Sequence, residues 1–200
     1  MYVVERNTGL PVYFRYIAGN IIDVITLRVT INHLKAQGIE VKHGILDAGY
    51  CSEKNIKDLF NINIHFLIRM PNNALATKLI NIHGKDVYGA EYALEYGERL
   101  LFMKRDSVKL FDHECHAYMA VDFERMSGEQ DHYYRKVIKE MGKAQKKTKP
   151  AKESQFGYFV LISSEKLETF EVIPLYYMRQ SIEQTFDFSK NDVASAKSQG

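Results

Sequence analysis

Four residues near the end of the chain stand at spacings that can do chemistry. Tyr176, Arg179 and Glu183 are three and four residues apart, so a helix carries all three on one face, and Lys190 follows seven residues later along the same face. Met178, Ile182 and Phe186, each four apart, form an opposite stripe expected to face the core. From spacing alone the polar face is open to two readings: a functional cluster, or a solvated face with an Arg179–Glu183 pair contributing a few tenths of a kcal/mol. A second candidate is Asp47, just past the apolar end of Val41–Leu46 (VKHGIL). In open α/β sheets ligands gather at the carboxyl ends of strands, although an aspartate there can equally cap the turn that follows. A third is the run from Arg135 to Lys152, with eight Lys and Arg against the single acid Glu140, a local +7. Such a run is either a solvated helix face entering a loop or a phosphate-backbone contact. Asp112-His-Glu-Cys-His116 gathers metal-ligand types, but a structural zinc site takes two ligand pairs at set spacings and this is one crowded patch. No Ser-His-Asp arrangement and no glycine-rich phosphate loop is present.

The elements that must position these residues alternate in type. Leu10–Ile17 reads as a strand after the Thr8-Gly9 turn. A helix follows, capped by Asn20 with Asp23 three residues on, showing Val24, Leu27, Ile31 and Leu34 on one face and closing at Gly38. Val41–Leu46 is a strand, Ser52 caps a short helix through Ile56, Leu59 and Phe60, and Ile64–Ile68 is a third strand stopped by Pro71. Strand, helix and strand within about thirty residues form a βαβ unit with a parallel pair. From about Val87 to Arg125 the texture becomes that of antiparallel strands. A helix from about Glu129 to Ala144, a lysine-rich connection broken at Pro150, a strand over 157–163 and a last helix over 175–188 complete the chain.

Composition bounds the rest. Two hundred residues with 46% hydrophobic and 26% charged is globular, and long enough to bury a core. The net charge is +2, so the +7 run leaves −5 elsewhere and the average excludes no class of partner. Cys51 and Cys115 make no CxxC pair, which favours a reducing cytoplasm. The first residues lack the basic and apolar regions of a signal peptide, and no apolar run approaches the roughly 20 residues of a membrane helix.

Tyr-x2-Arg-x3-Glu-x6-Lys, as Tyr176, Arg179, Glu183 and Lys190, resembles the YREK motif of the DDE transposases of bacterial insertion sequences. Ile45-Leu-Asp-Ala-Gly-Tyr-Cys-Ser-Glu-Lys-Asn-Ile resembles that family's second-aspartate segment. Thr8–Asp23 resembles the strand and Gly-Asn-x-x-Asp helix start that precede it. The resemblance runs from residue 8 to about 192. It implies a ribonuclease-H-like fold, an α/β mixed sheet flanked by helices and interrupted by a mostly β insertion. On that plan residues 1–83 are the first part of the core, 84–172 the insertion with a basic helix and linker at 129–152, and 173–200 the catalytic helix. It implies transposition by phosphoryl transfer with two Mg2+ or Mn2+ ions on three carboxylates: water cleaves at the transposon end, and the freed 3′-hydroxyl attacks target DNA. Asp47 and Glu183 would be two catalytic, metal-holding carboxylates. Arg179 and Lys190, supported by Tyr176, would contact DNA near the scissile bond, with Lys143, Lys146 and Lys147 as further DNA contacts.

The resemblance further implies transposon ends and target DNA as partners, a homodimer in active members, and a cytoplasmic, nucleoid-associated protein with no membrane. The family's first aspartate lies on a central strand upstream of the segment with which this sequence opens. Glu5 and Asp23 are the earlier acids weighed for that place, and Asp23 already has a capping role. The expectation is a partial transposase with its N-terminal strand missing, inactive as it stands; the alternative is a degenerate remnant that only binds DNA. Some relatives hold a flipped base with tryptophan; this chain has none, and stacking would fall to its 13 Tyr and 11 Phe.

Overall fold

A computed structural model describes residues 2–4, 11–14, 23–141 and 155–178. The chain is mixed α/β and divides into two compact units, one of 1–68 with 171–200 and one of 69–170.

In the first unit β1 (Tyr2–Val4) pairs antiparallel with β2 (Pro11–Phe14). Helix α1 (Asp23–Ala36) buries Leu27 and Leu34, two of the four expected apolar positions, together with Thr26 and Thr30. Ile31 is half-buried, and Asn20 lies outside the described residues. Gly38 ends the helix at φ +78°, a left-handed conformation that glycine adopts without the Cβ penalty. Strand β3 (His43–Leu46), a 3-10 turn (Ala48–Tyr50), α2 (Glu53–Asn61) and β4 (His65–Arg69) follow. β3 and β4 are parallel, with Leu46 opposite Ile68, as a βαβ unit requires. α1 packs against both the 3-10 turn and α2. Ile56 and Leu59, one turn apart, are fully buried, and the β4 side chains Phe66, Leu67 and Ile68 are buried as well.

The second unit opens with α3 (Ala74–His83), to which the sequence patterns assign no element; Asn73 caps it by accepting from the Ala76 N–H at 2.9 Å. β5 (Ala93–Tyr96), β6 (Arg99–Leu110), β7 (His113–Asp122) and β8 (Tyr158–Ser163) form an antiparallel sheet in the order β5-β6-β7-β8, as the strand-rich texture predicts. β8 is buried at every position. Tyr118 is buried, and its hydroxyl donates to Leu167 O at 2.9 Å; burial raises its pKa.

Two boundaries differ from expectation. Helix α4 runs over Phe123–Met141, six residues earlier than the start read at Glu129. Asp122 supplies the start: its carboxylate accepts from the Arg125 N–H at 3.1 Å and takes an ion pair from Arg99, and its side chain is fully buried. The last helix is formed from 169, not 175. Among its described residues Val172, Ile173 and Tyr176 are buried, whereas Met178, expected to face the core, is exposed; Ile182 and Phe186 lie outside the described residues. With the helix starting a turn and a half earlier, the positions 172, 173 and 176 complete an apolar face, and the tyrosine ring joins it.

Candidate active site

Asp47 sits where β3 ends, in extended backbone (φ −79°, ψ 167°), and is half-buried. Its Oδ1 accepts from the Ala48 N–H at 2.7 Å, so the carboxylate caps the 3-10 turn that follows. The capping role and a ligand role are compatible, since a carboxylate has two oxygens and about four lone-pair directions. The turn is closed by Tyr50 N–H to Asp47 O at 3.0 Å and Cys51 N–H to Ala48 O at 3.1 Å. Tyr50 O then accepts twice, from Ser52 N–H at 2.9 Å and from the side-chain Nδ2 of Asn55 at 3.0 Å. Ser52 caps α2 as expected, its hydroxyl accepting from the Asn55 N–H at 3.3 Å. Asn55 is 1% exposed, a buried amide whose donor is spent on the turn carrying Asp47. The sequence segment contains Asn55, but its role depends on where Tyr50 O lies and no spacing rule shows it. Beside it, burial pushes the Cys51 thiol up to about 11, which keeps it protonated and unreactive at neutral pH.

Of the terminal motif, Tyr176 is described: it is buried and makes an edge-on ring contact with Tyr177 at 5.9 Å. Arg179, Glu183 and Lys190 lie outside the described residues, as do Lys143, Lys146 and Lys147 of the basic run. The part of that run within α4 is exposed, with Arg135 held by Asp131 through two hydrogen bonds at 2.7 and 2.8 Å and Lys136 and Lys139 on its surface. The guanidinium of Arg135 lowers the pKa of Asp131.

Strand alternation in β7 sends His113 and Cys115 to one face and Glu114 and His116 to the other, which disperses the 112–116 cluster. Among the described residues no three His, Cys, Asp or Glu side chains come together to hold a metal. Asp47 offers the kind of hard oxygen donor that Mg2+ and Mn2+ prefer.

The sequence model of the Transposase DDE domain family matches residues 2–198. The chain belongs to that family. No curated protein matches the sequence. Membership implies DNA transposition, DNA as the partner and, as is general for DDE transposases, dependence on divalent metal. Among the described residues of this DDE domain, no helix is long and apolar enough to cross a membrane.

Proposed function

We infer that this chain is the catalytic part of a DDE transposase of the YREK type, built on a ribonuclease-H-like core with residues 84–172 as its β-rich insertion. The observation that carries the reading is Asp47: an aspartate at the carboxyl end of a strand in a parallel βαβ unit, inside a family match that spans the chain. Asp47 and Glu183 are the two carboxylates assigned to metal. Held by these carboxylates, divalent metal would supply Lewis-acid stabilisation of the charge on a phosphate undergoing displacement. Arg179 and Lys190 hold the phosphates flanking the scissile bond, Arg179 by its bidentate fork and Lys190 as a point charge. Tyr176, anchored on the buried face of its helix, fixes the turn from which Arg179 follows three residues later. Lys143, Lys146 and Lys147 add non-specific backbone contacts.

No residue among the 200 is assigned to the first aspartate. Two of the three carboxylates that the family's chemistry uses are assigned here, Asp47 and Glu183, and DNA binding is the part of the reading that these residues can be tested for directly. The experiment is duplex-DNA binding by fluorescence anisotropy across roughly 50 to 200 mM salt. Affinity should fall steeply, and Lys143→Ala, Lys146→Ala and Lys147→Ala together should flatten the log–log slope by about one unit per lysine. Binding no stronger than that of a neutral control protein refutes the reading.

A further inference from the structure

The buried side-chain amide of Asn55 bonds the turn that carries Asp47. A carboxylate that holds a metal must be fixed to within a fraction of an ångström, and the backbone carrying Asp47 is a three-residue 3-10 turn, poorer in hydrogen-bond geometry than an α-helix. Three bonds define that turn from within: Asp47 Oδ1 to Ala48 N–H, Asp47 O to Tyr50 N–H and Ala48 O to Cys51 N–H. A side chain from outside the turn also reaches it. Asn55 Nδ2 donates to Tyr50 O at 3.0 Å across five residues, while the Asn55 backbone N–H is taken by Ser52 Oγ. Asn55 therefore ties the end of the turn to the first turn of α2, whose Ile56 and Leu59 are locked in the core.

We propose that Asn55 is a positioning residue for Asp47, transmitting the rigidity of α2 to the carboxylate through Tyr50 O. The proposal rests on the reading of Asp47 as a metal ligand. Groups that orient metal ligands without touching the ion typically cost about 10–100-fold in metal affinity when removed.

The test uses the whole chain and Mn2+ alone. Asn55→Leu keeps most of the volume and removes the donor; Asn55→Asp keeps the shape, removes the donor and serves if the leucine variant does not fold. Ser52→Ala is the control, since it removes the cap of the same helix without touching Tyr50 O. Expected in either Asn55 variant are hydrogen exchange at the Ala48, Tyr50 and Cys51 amides about tenfold faster and a Mn2+ dissociation constant about tenfold higher. Ser52→Ala should leave both within about twofold. Exchange and Mn2+ affinity within twofold of wild type in a folded Asn55 variant overturn the proposal, as does faster exchange with unchanged Mn2+ affinity. Asp47→Asn separates the two claims. If it leaves Mn2+ affinity unchanged, the ligand reading of Asp47 fails, and the exchange data still report whether Asn55 holds the turn.

Discussion

On the proposed reading the Asp47 carboxylate would hold metal as well as cap its turn, and two substitutions separate the two duties. The Oδ1 to Ala48 N–H bond at 2.7 Å is an N-cap interaction in extended backbone. Asparagine keeps an acceptor oxygen in the same place, so Asp47→Asn should change stability by no more than a few tenths of a kcal/mol. Asp47→Ala removes the acceptor and leaves the Ala48 N–H without it, costing about 1 kcal/mol. With a urea m-value of about 2 kcal/mol per M, that moves the midpoint down by about 0.5 M at constant slope. The metal side sorts differently. Both variants lose the charged oxygen donor, and both should weaken Mn2+ binding at least tenfold, read from the free-Mn2+ signal in electron paramagnetic resonance. Alanine thus loses stability and metal while asparagine loses metal alone. An unchanged urea midpoint in Asp47→Ala refutes the capping argument; Mn2+ binding preserved in Asp47→Asn refutes the ligand argument.

Other substitutions test the second unit and the thiol. Gly157 sits at φ +79°, and an added Cβ would meet Met126 Cβ at 2.6 Å and Asp122 O at 2.7 Å, so Gly157→Ala should cost about 3 kcal/mol or more in urea denaturation. Gly128 lies inside α4 with open space around it, and Gly128→Ala should instead stabilise by about 0.5–1 kcal/mol; a lower midpoint would contradict the helical assignment there. Asp122→Ala removes the buried partner of Arg99 and the cap on Arg125, but Arg99, a quarter exposed, keeps Glu124 at 3.2 Å, so the cost in urea denaturation should be about 2–3 kcal/mol, and Asp122→Asn, which keeps the cap, should cost clearly less. With its pKa raised to about 11, the Cys51 thiol holds its proton through the range where an ordinary thiol loses it. Labelling by a disulfide reagent at pH 8 should therefore be about 100-fold slower in the native chain than in urea, and its rate should keep rising up to about pH 11; a plateau near pH 9 would refute the shift.

What the sequence made legible was local. The Ser52 cap, the parallel β3–β4 pair around α2 and the position of Asp47 beyond a strand end follow from residues within a few places of one another, and the structure has them. The start of α4 was not legible, because Met126-Ser-Gly128 reads as a break and the true cap, Asp122, owes its burial to Arg99 twenty-three residues upstream. The terminal helix shows the same limit. A stripe of Met178, Ile182 and Phe186 looks like a core face, yet Tyr176 is the buried residue and Met178 is exposed, because the face was set by Val172 and Ile173 before the motif begins.

The burial of Tyr176 bears on chemistry as well as packing. On the proposed reading, a tyrosine standing on a solvated face would meet DNA with its own ring and hydroxyl, whereas one buried like Val172 and Ile173 would act on DNA through the backbone it anchors. Asp47 is supported in the same way, by an amide buried in α2 that has no charge to offer a metal or a phosphate. On the reading proposed for this family member, the charged residues Asp47, Arg179, Glu183 and Lys190 do the chemistry, and neutral buried groups decide whether they are aimed. Truncating Tyr176 to Phe, which keeps the ring in the core, should then leave DNA affinity within about twofold, whereas Tyr176→Ala should weaken it through Arg179 while opening a cavity worth about 3 kcal/mol or more. Equal loss of DNA binding in both variants would return the tyrosine hydroxyl to the DNA and overturn the division of labour argued for the site.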